Sequence, residues 1–368
     1  MDENKIGKAI SYLRKRAGYT QKDLADRIGI SDKAVSKWER GLGLPDIGYL
    51  RKLSILLDTD TDSLLTGDVV HHDSSWTGVI VLDENCYGIG ARTLIYDKPL
   101  IYYLLSYFLL VGIKDIMVLC TETDAKYIER DLGDGSEYGI RIETATGGLT
   151  TIIEKLGSCA ECHDSDKCKK HSEPIISERN IMMLYGRCLL YGVDQTRFFQ
   201  KAMMNRDRFT MLVLPKKMSH HTSHIVIDQN KKVINSNADE PLKTQYDFSD
   251  IPILFFPEHY LTAMAKATDV TSFITQCASE NELYVQMLDR GFVEIEVDDW
   301  NNVQEASIFM KIVQDKCGMN VYCIEEVAWR RGMISLDQLK VLGNRHAGTE
   351  YGDYILSLHE RLSERTIE

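Results

Sequence analysis

Tyr19-Thr-Gln-Lys-Asp-Leu-Ala-Asp-Arg-Ile-Gly-Ile-Ser-Asp-Lys-Ala-Val-Ser-Lys-Trp-Glu-Arg-Gly41 reads as two short helices joined by a sharp turn. Thr20 is an N-cap with Asp23 three residues on, and Leu24, Ala25 and Ile28 form one inner face. Gly29 supplies the turn, Ser31 caps the next helix, and Val35 and Trp38 point inward from it. Upstream, Ile6, Ala9, Ile10, Leu13 and Ala17 recur at helical spacing, with Lys8, Arg14, Lys15 and Arg16 on other faces, and Gly18 ends that helix. Downstream, Asp46 opens a fourth helix carrying Leu50, Leu53, Leu56 and Leu57, and Ser63 to Leu65 form a closing turn. The spacing predicts a bundle of about five short helices over residues 1–66.

The helix after Ser31 leaves Ser31, Asp32, Lys33, Ser36, Lys37 and Arg40 outward, a set that suits base edges and phosphates in a major groove. Gln21 is placed either to reach a phosphate or to brace that helix. The quoted stretch closely resembles the phage-repressor (xenobiotic-response-element) type of helix-turn-helix, with core, turn and caps in register over about residues 4–66. The resemblance implies binding to double-stranded DNA, commonly by dimers on two half-sites. A small bundle used for protein contacts is the competing reading.

Charge follows the same division. Of 43 basic and 55 acidic residues, residues 1–66 hold 12 and 10, leaving 31 and 45 for the rest. A mildly basic head on an acidic body lets the head approach phosphate while the body stays off it. The net charge of −12 argues against a protein that coats nucleic acid without specificity. The longest apolar run, Leu100 to Ile113, is short of the ~18 residues a membrane span needs, and the N-terminus lacks a signal-peptide core. Cytoplasmic location is the expectation, and nine cysteines then suggest thiols or a metal site rather than a disulfide frame. Residues 67–76 read as a polar linker, in which His71 and His72 read as a solvated pair, with metal binding as the alternative.

From Gly78 onward, β-rich runs (78–82, 116–120, 180–184, 211–214) alternate with helical segments (100–110, 125–132), the signature of a mostly parallel sheet with helices on both faces. Closer-spaced strands at 224–228, 232–234, 253–256 and 292–297 imply a mixed region. Helices at 303–313, 324–331, 336–342 and 351–361 close the chain. The strings Tyr96-Asp-Lys-Pro-Leu-Ile-Tyr-Tyr, Leu132-Gly-Asp-Gly-Ser-Glu-Tyr-Gly-Ile, Gly148-Leu149, Leu184-Tyr-Gly-Arg, Glu325-Glu-Val-Ala-Trp-Arg-Arg-Gly and Tyr351-Gly-Asp-Tyr resemble the sugar-nucleotidyltransferase family, in family order across 78–362. The expected architecture is an all-α helix-turn-helix domain (1–66), the linker, and an α/β, Rossmann-like, mixed-sheet nucleotidyltransferase-like domain (77–368).

That family joins a nucleoside triphosphate to a sugar 1-phosphate, using a Gly-rich phosphate loop, a downstream Lys and carboxylates that hold Mg²⁺. Here the loop is shortened to Asp83-Glu-Asn-Cys-Tyr-Gly-Ile-Gly-Ala-Arg-Thr, and Asp83 and Glu84 would repel a triphosphate. By the resemblance, Arg187 stands where the family has a metal-binding Asp. Glu296 falls at the second metal carboxylate, with Asp298 and Asp299 as substitutes, and Asp239 begins a string that has lost its Lys. No catalytic residue is expected and magnesium is not. A pseudoenzyme is the expectation, with Gly148, Leu149, Gly186, Arg187, Asp239 and Glu296 as residues of a retained pocket that senses a nucleotide-sugar or sugar phosphate. The alternatives are an active bifunctional nucleotidyltransferase and an oligomerisation scaffold; a homo-oligomer, dimer or tetramer, fits each of them.

An insertion at about 157–178 carries Cys159, Cys162, Cys168 and His171 as C-x₂-C-x₅-C-x₂-H, with His163 as a competitor. Two close pairs of this kind can wrap a structural, tetrahedral Zn²⁺. A redox-active thiol loop and an incidental cluster are the alternatives, and a redox or zinc-level sensor is the function they would imply. The other cysteines (86, 120, 188, 277, 317 and 323) read as core thiols.

Overall fold

The structure is a computed structural model. It describes residues 3–17, 19–57, 59, 64–65, 76–82, 88–147, 179–185, 188–205, 208–216, 224–227, 233–235, 247–264, 270–280 and 282–367. Two compact units result, the first made of Met1–His71 with Trp329–Gly332 and the second of His72–Ala328 and Met333–Glu368.

The first unit is helical: α1 (Glu3–Arg16), α2 (Gln21–Ile28), α3 (Asp32–Glu39) and α4 (Ile47–Leu56). Thr20 and Asp23 make a reciprocal capping box on α2, and Gly29 ends it in the left-handed region at φ 86°, where a Cβ would be strained. Ser31 caps α3. Ile6, Ala9, Ile10, Leu13, Leu24, Ala25, Ile28, Val35, Trp38, Leu53, Leu57 and Leu64 form one core. Two expectations for α1 need correction. Ala17 lies beyond the last turn and is exposed, and Arg14, expected on an outer face, is buried. Of the closing turn, Leu64 and Leu65 are helical.

The second unit is built on a nine-stranded sheet among the described residues. Its strands are β1 (Trp76–Val81), β4 (Asp115–Cys120), β5 (Arg141–Thr146), β6 (Asn180–Tyr185), β8 (Phe209–Lys216), β9 (His224–Ile227), β10 (Val233–Asn235), β11 (Asp247–Phe256) and β12 (Leu283–Met287). The short strands β2 (Leu94–Ile95) and β3 (Lys98–Pro99) pair as a hairpin, and β7 (Cys188–Tyr191) pairs antiparallel with β13 (Val293–Glu296). The order β10-β9-β11-β6-β1-β4-β5 is parallel over β6, β1, β4 and β5 and antiparallel at β11. A register shift between Ile251 and Leu254 bends β11, which pairs β8 along its length, β9 at its start and β6 at its end; a bulge allows such a change of partner.

Burial explains the parallel core: every residue of β1 is buried, as expected of a central strand covered on both faces. The linker expected to run through residue 76 ends earlier, because Trp76 is the first residue of β1 and 1% exposed. Between β3 and β4 runs α5 (Leu100–Val111), apolar on almost every side and ended by Gly112 at φ 82°. The other helices are α6 (Glu122–Leu132), α7 (Gln195–Met204), α8 (Leu261–Met264), α9 (Val270–Ser279), α10 (Trp300–Cys317), α11 (Ile324–Arg330), α12 (Leu336–Arg345) and α13 (Glu350–Ile367). Strands β2, β3, β5, β7 and β12 were not expected from the sequence. Of the thiols read as core, Cys120, Cys188, Cys277 and Cys323 are buried, whereas Cys317 is exposed at the end of α10; Cys86 lies outside the described residues.

Candidate functional site

In the first unit, α3 presents Ser31, Asp32, Lys33, Lys37 and Arg40 as exposed residues and Ser36 as half-buried. Three of them also have local tasks. Ser31 Oγ accepts from the Ala34 N–H at 3.3 Å, Asp32 Oδ1 accepts from the Lys33 N–H at 2.8 Å, and Arg40 Nε donates to the Ser36 carbonyl at 3.2 Å. Lys33 and Lys37 are the exposed cations of the helix, and long side chains of this kind reach phosphate oxygens.

The pose of α3 is set by a group that the sequence reading missed. Glu39, near its C-terminus, receives Arg14 Nε at 2.5 Å and Nη2 at 3.0 Å, Gln21 Nε2 at 2.7 Å and Ser11 Oγ at 3.1 Å. Arg14 Nη1 donates to the Tyr19 carbonyl at 2.7 Å. A bidentate Arg–carboxylate pair fixes orientation as well as distance, so α1 and α2 are both tied to α3. Burial pushes the Glu39 carboxyl up, but the hydrogen bonds from Arg14 and Gln21 and the guanidinium charge outweigh it and hold the group below its usual range. Gln21 is therefore engaged in bracing α3. The signal available in the sequence was position: Arg14 is four residues after the buried Ile10, on the inner stripe of α1.

In the second unit, the site implied by the resemblance lies after β1 and around β6, β7 and β13. Residues 83–87 lie outside the described residues, and the chain resumes at Gly88. There Gly90 and Thr93 close a turn: the Gly90 N–H donates to Thr93 Oγ1 at 2.9 Å and the Thr93 N–H to the Gly90 carbonyl at 3.0 Å. The Ala91 N–H donates to Asp124 Oδ1 at 3.0 Å. Asp124 is 7% exposed, and a Cβ on Gly90 would stand 2.5 Å from its carboxylate oxygen, so only glycine allows the carboxylate to pack there. The amides of Gly90 and Ala91 are satisfied within the protein.

Glu296, the last residue of β13, pairs across the ladder with Cys188 of β7. Asp298 and Asp299 both accept from Asn302, from its side chain at 2.6 Å and its backbone N–H at 2.8 Å, and Asp299 is the N-cap of α10. Among the described residues no group of three or more His, Cys, Asp or Glu converges. Gly148, Leu149, Gly186, Arg187 and Asp239 lie outside the described residues, as do Cys159, Cys162, Cys168 and His171.

Deeper in this unit, Lys98 and Glu325 are the most completely enclosed of the described charged groups. Lys98 is 1% exposed, with Nζ 2.8 Å from Asp97 and 3.2 Å from Gln314 Oε1 and over the Tyr103 ring at 4.6 Å. Glu325 is fully buried; the Tyr351 hydroxyl donates to its Oε2, and His346 Nε2 lies 3.5 Å from its Oε1. Hydrogen bonding to Glu325 outweighs burial and raises the His346 imidazole.

Comparison with known proteins agrees with both units. A helix-turn-helix family model matches residues 10–64, and a nucleotidyl transferase family model matches residues 92–315. Glucose-1-phosphate thymidylyltransferase of Neisseria meningitidis is 26% identical over 280 residues, 74% of this chain and 92% of that one. The enzymes of that name from an Actinoplanes species and Mycolicibacterium smegmatis are 26% and 24% identical, over 72% and 74% of this chain and 85% and 93% of their own. A solved Bacillus anthracis structure, described as a glucose-1-phosphate thymidylyltransferase in complex with a sucrose, superposes with a TM-score of 0.50 at 13% identity, covering 64% of this chain and 94% of that one; it speaks for the fold alone. The nucleotidyl transferase match spans more than half of the sequence, and so the chain belongs to the nucleotidyl transferase family and carries a helix-turn-helix domain ahead of it.

Proposed function

We propose that the protein is a cytoplasmic, DNA-binding transcriptional regulator whose nucleotidyltransferase-like domain has lost catalysis and senses a nucleotide-sugar or sugar phosphate. The observation that carries the loss of catalysis is the closed turn at Gly90–Thr93. Phosphate cradles need unpaired backbone N–H groups aimed at the anion. Here Gly90 and Ala91 already donate to Thr93 and Asp124. The family match begins at Arg92, after β1 and within this turn, which supports the same reading. Ligand contacts fall to Glu296 and, outside the described residues, to Gly148, Leu149, Gly186, Arg187 and Asp239. No described helix is long and apolar enough to cross a membrane, which is compatible with a cytoplasmic location.

The DNA reading rests on the exposed Lys33, Lys37 and Arg40 and the half-buried Ser36, presented by a helix braced through Glu39. A ligand regulates such a protein only if it binds the DNA-competent and incompetent forms differently.

Thermal unfolding of the full chain against nucleotide-sugars, nucleoside triphosphates and sugar phosphates, with and without Mg²⁺, tests the sensor. A saturable, selective shift independent of Mg²⁺ identifies the ligand, because binding the folded state alone must stabilise it. No shift at millimolar ligand removes the sensor, and turnover of a triphosphate with a sugar 1-phosphate establishes the enzyme instead. For DNA, Lys33→Ala and Lys37→Ala are each expected to weaken binding to a selected operator and flatten its salt dependence by about one counterion.

A further inference from the structure

An 18-residue helix, α10, carries the features of a contact between two copies of this chain. Its inner side, Val303, Ala306, Met310 and Gln314, is buried. Its outer side displays Ile308 (60% exposed) and Ile312 (54%), and Met319 (52%) follows the helix end. Single exposed apolar residues need no explanation, but Ile308 and Ile312 stand one turn apart on the same face of the helix. Leu94, on the hairpin that packs along α10 through the Tyr96 N–H and Ser307 Oγ, is exposed as well.

We infer that α10 pairs antiparallel with α10 of a second copy about a two-fold axis near residue 313, placing Lys311 of each chain opposite Asp315 of the other. An isologous contact demands a self-complementary surface. With the axis at 313, position i faces position 626 − i, each residue advancing ~1.5 Å along the helix. Ile312 then meets its own counterpart across the axis, and Ile308 meets the level of Gly318 and Met319. A two-fold perpendicular to the paired helices keeps each residue on the same flank. Lys311 and Asp315 share a flank, 3.1 Å apart as an exposed i,i+4 pair, so each faces the opposite charge. The Lys311 ammonium lies over the Tyr96 ring, 5.3 Å from its centroid, which holds it on that flank. Such an assembly would also supply the two heads that a pair of DNA half-sites requires, although the argument stands without the DNA reading.

Sedimentation velocity of the full chain provides the test, using Lys311→Asp and Asp315→Lys. Each variant alone sets like charges opposite each other, and association is expected to weaken at least tenfold. Mixed in equal amounts, the two variants regain opposite charges across the contact and associate as the wild type does. An intrahelical role for the pair would not produce this rescue. Ile312→Glu, at an already exposed position, is expected to dissociate the contact while leaving the circular dichroism unchanged. A wild type that stays monomeric up to its highest soluble concentration overturns the proposal. So do single variants that associate as the wild type does, or a mixture that stays as dissociated as its components.

Discussion

Removing Arg14 isolates what holds α3 in place. In Arg14→Met the Glu39 carboxylate, with a side chain 6% exposed, loses its counter-ion but keeps the donors of Gln21 and Ser11. Breaking a buried pair from one side costs about 3–5 kcal/mol, and the two remaining donors place this case near 3. A head of this size has a total stability of roughly 3–10 kcal/mol at the usual per-residue value, so much of it is lost. Backbone exchange of the α3 amides in the full chain, followed by mass spectrometry, reads the local opening directly. A loss of about 3 kcal/mol raises exchange roughly 100-fold. Replacing both partners, in Arg14→Met with Glu39→Leu, leaves no buried charge and is expected to return protection to within about tenfold of wild type. Because Glu39 is held below its usual range in the folded head, the stabilisation is present above the unfolded value near ~4.3 and is lost only as pH falls through the depressed folded value. A single substitution that alters exchange less than about fivefold, or a double one that exchanges as fast as the single, would refute the coupling.

Three further outcomes are expected. His346→Gln should lower the melting temperature of the second unit near pH 6 and have a vanishing effect at high pH. The raised imidazole contributes stability that is full below ~6.5 and lost as pH rises through the folded value; an equal effect at both ends would exclude the His346–Glu325 ion pair as its source. Gly78→Ala should destabilise by about 1–3 kcal/mol, since its Cβ would stand 2.8 Å from the Phe108 ring, and denaturant titration monitored by circular dichroism checks it. If the proposed zinc site at Cys159, Cys162, Cys168 and His171 exists, metal analysis of the purified protein should find about one zinc per chain, and Cys159→Ser with Cys162→Ser should abolish it; a metal-free wild type refutes the site.

The helical head was legible because its signals are local. Thr20, Asp23, Gly29 and Ser31 act within three or four residues of where they stand, and the apolar stripes of α2 and α3 have a period that a reader can count. The central strands were legible for a similar reason, since β1, β4 and β6 are buried on both faces and read as continuous apolar runs. Strand β5 escaped notice because Arg141-Ile-Glu-Thr-Ala-Thr146 interleaves polar residues at the sheet edge, where only one neighbour fixes it. Strand β12 becomes a strand through its pairing with β8, which ends more than 60 residues earlier. Tertiary structure alone decided which charges go inside. Arg14 meets Glu39 25 positions away, Lys98 meets Gln314 216 positions away, and Glu325 meets Tyr351 26 positions away. A lysine or glutamate is placed in solvent by any local rule. It can be enclosed only when the fold delivers a partner to offset its desolvation, and no periodicity along the chain encodes that delivery.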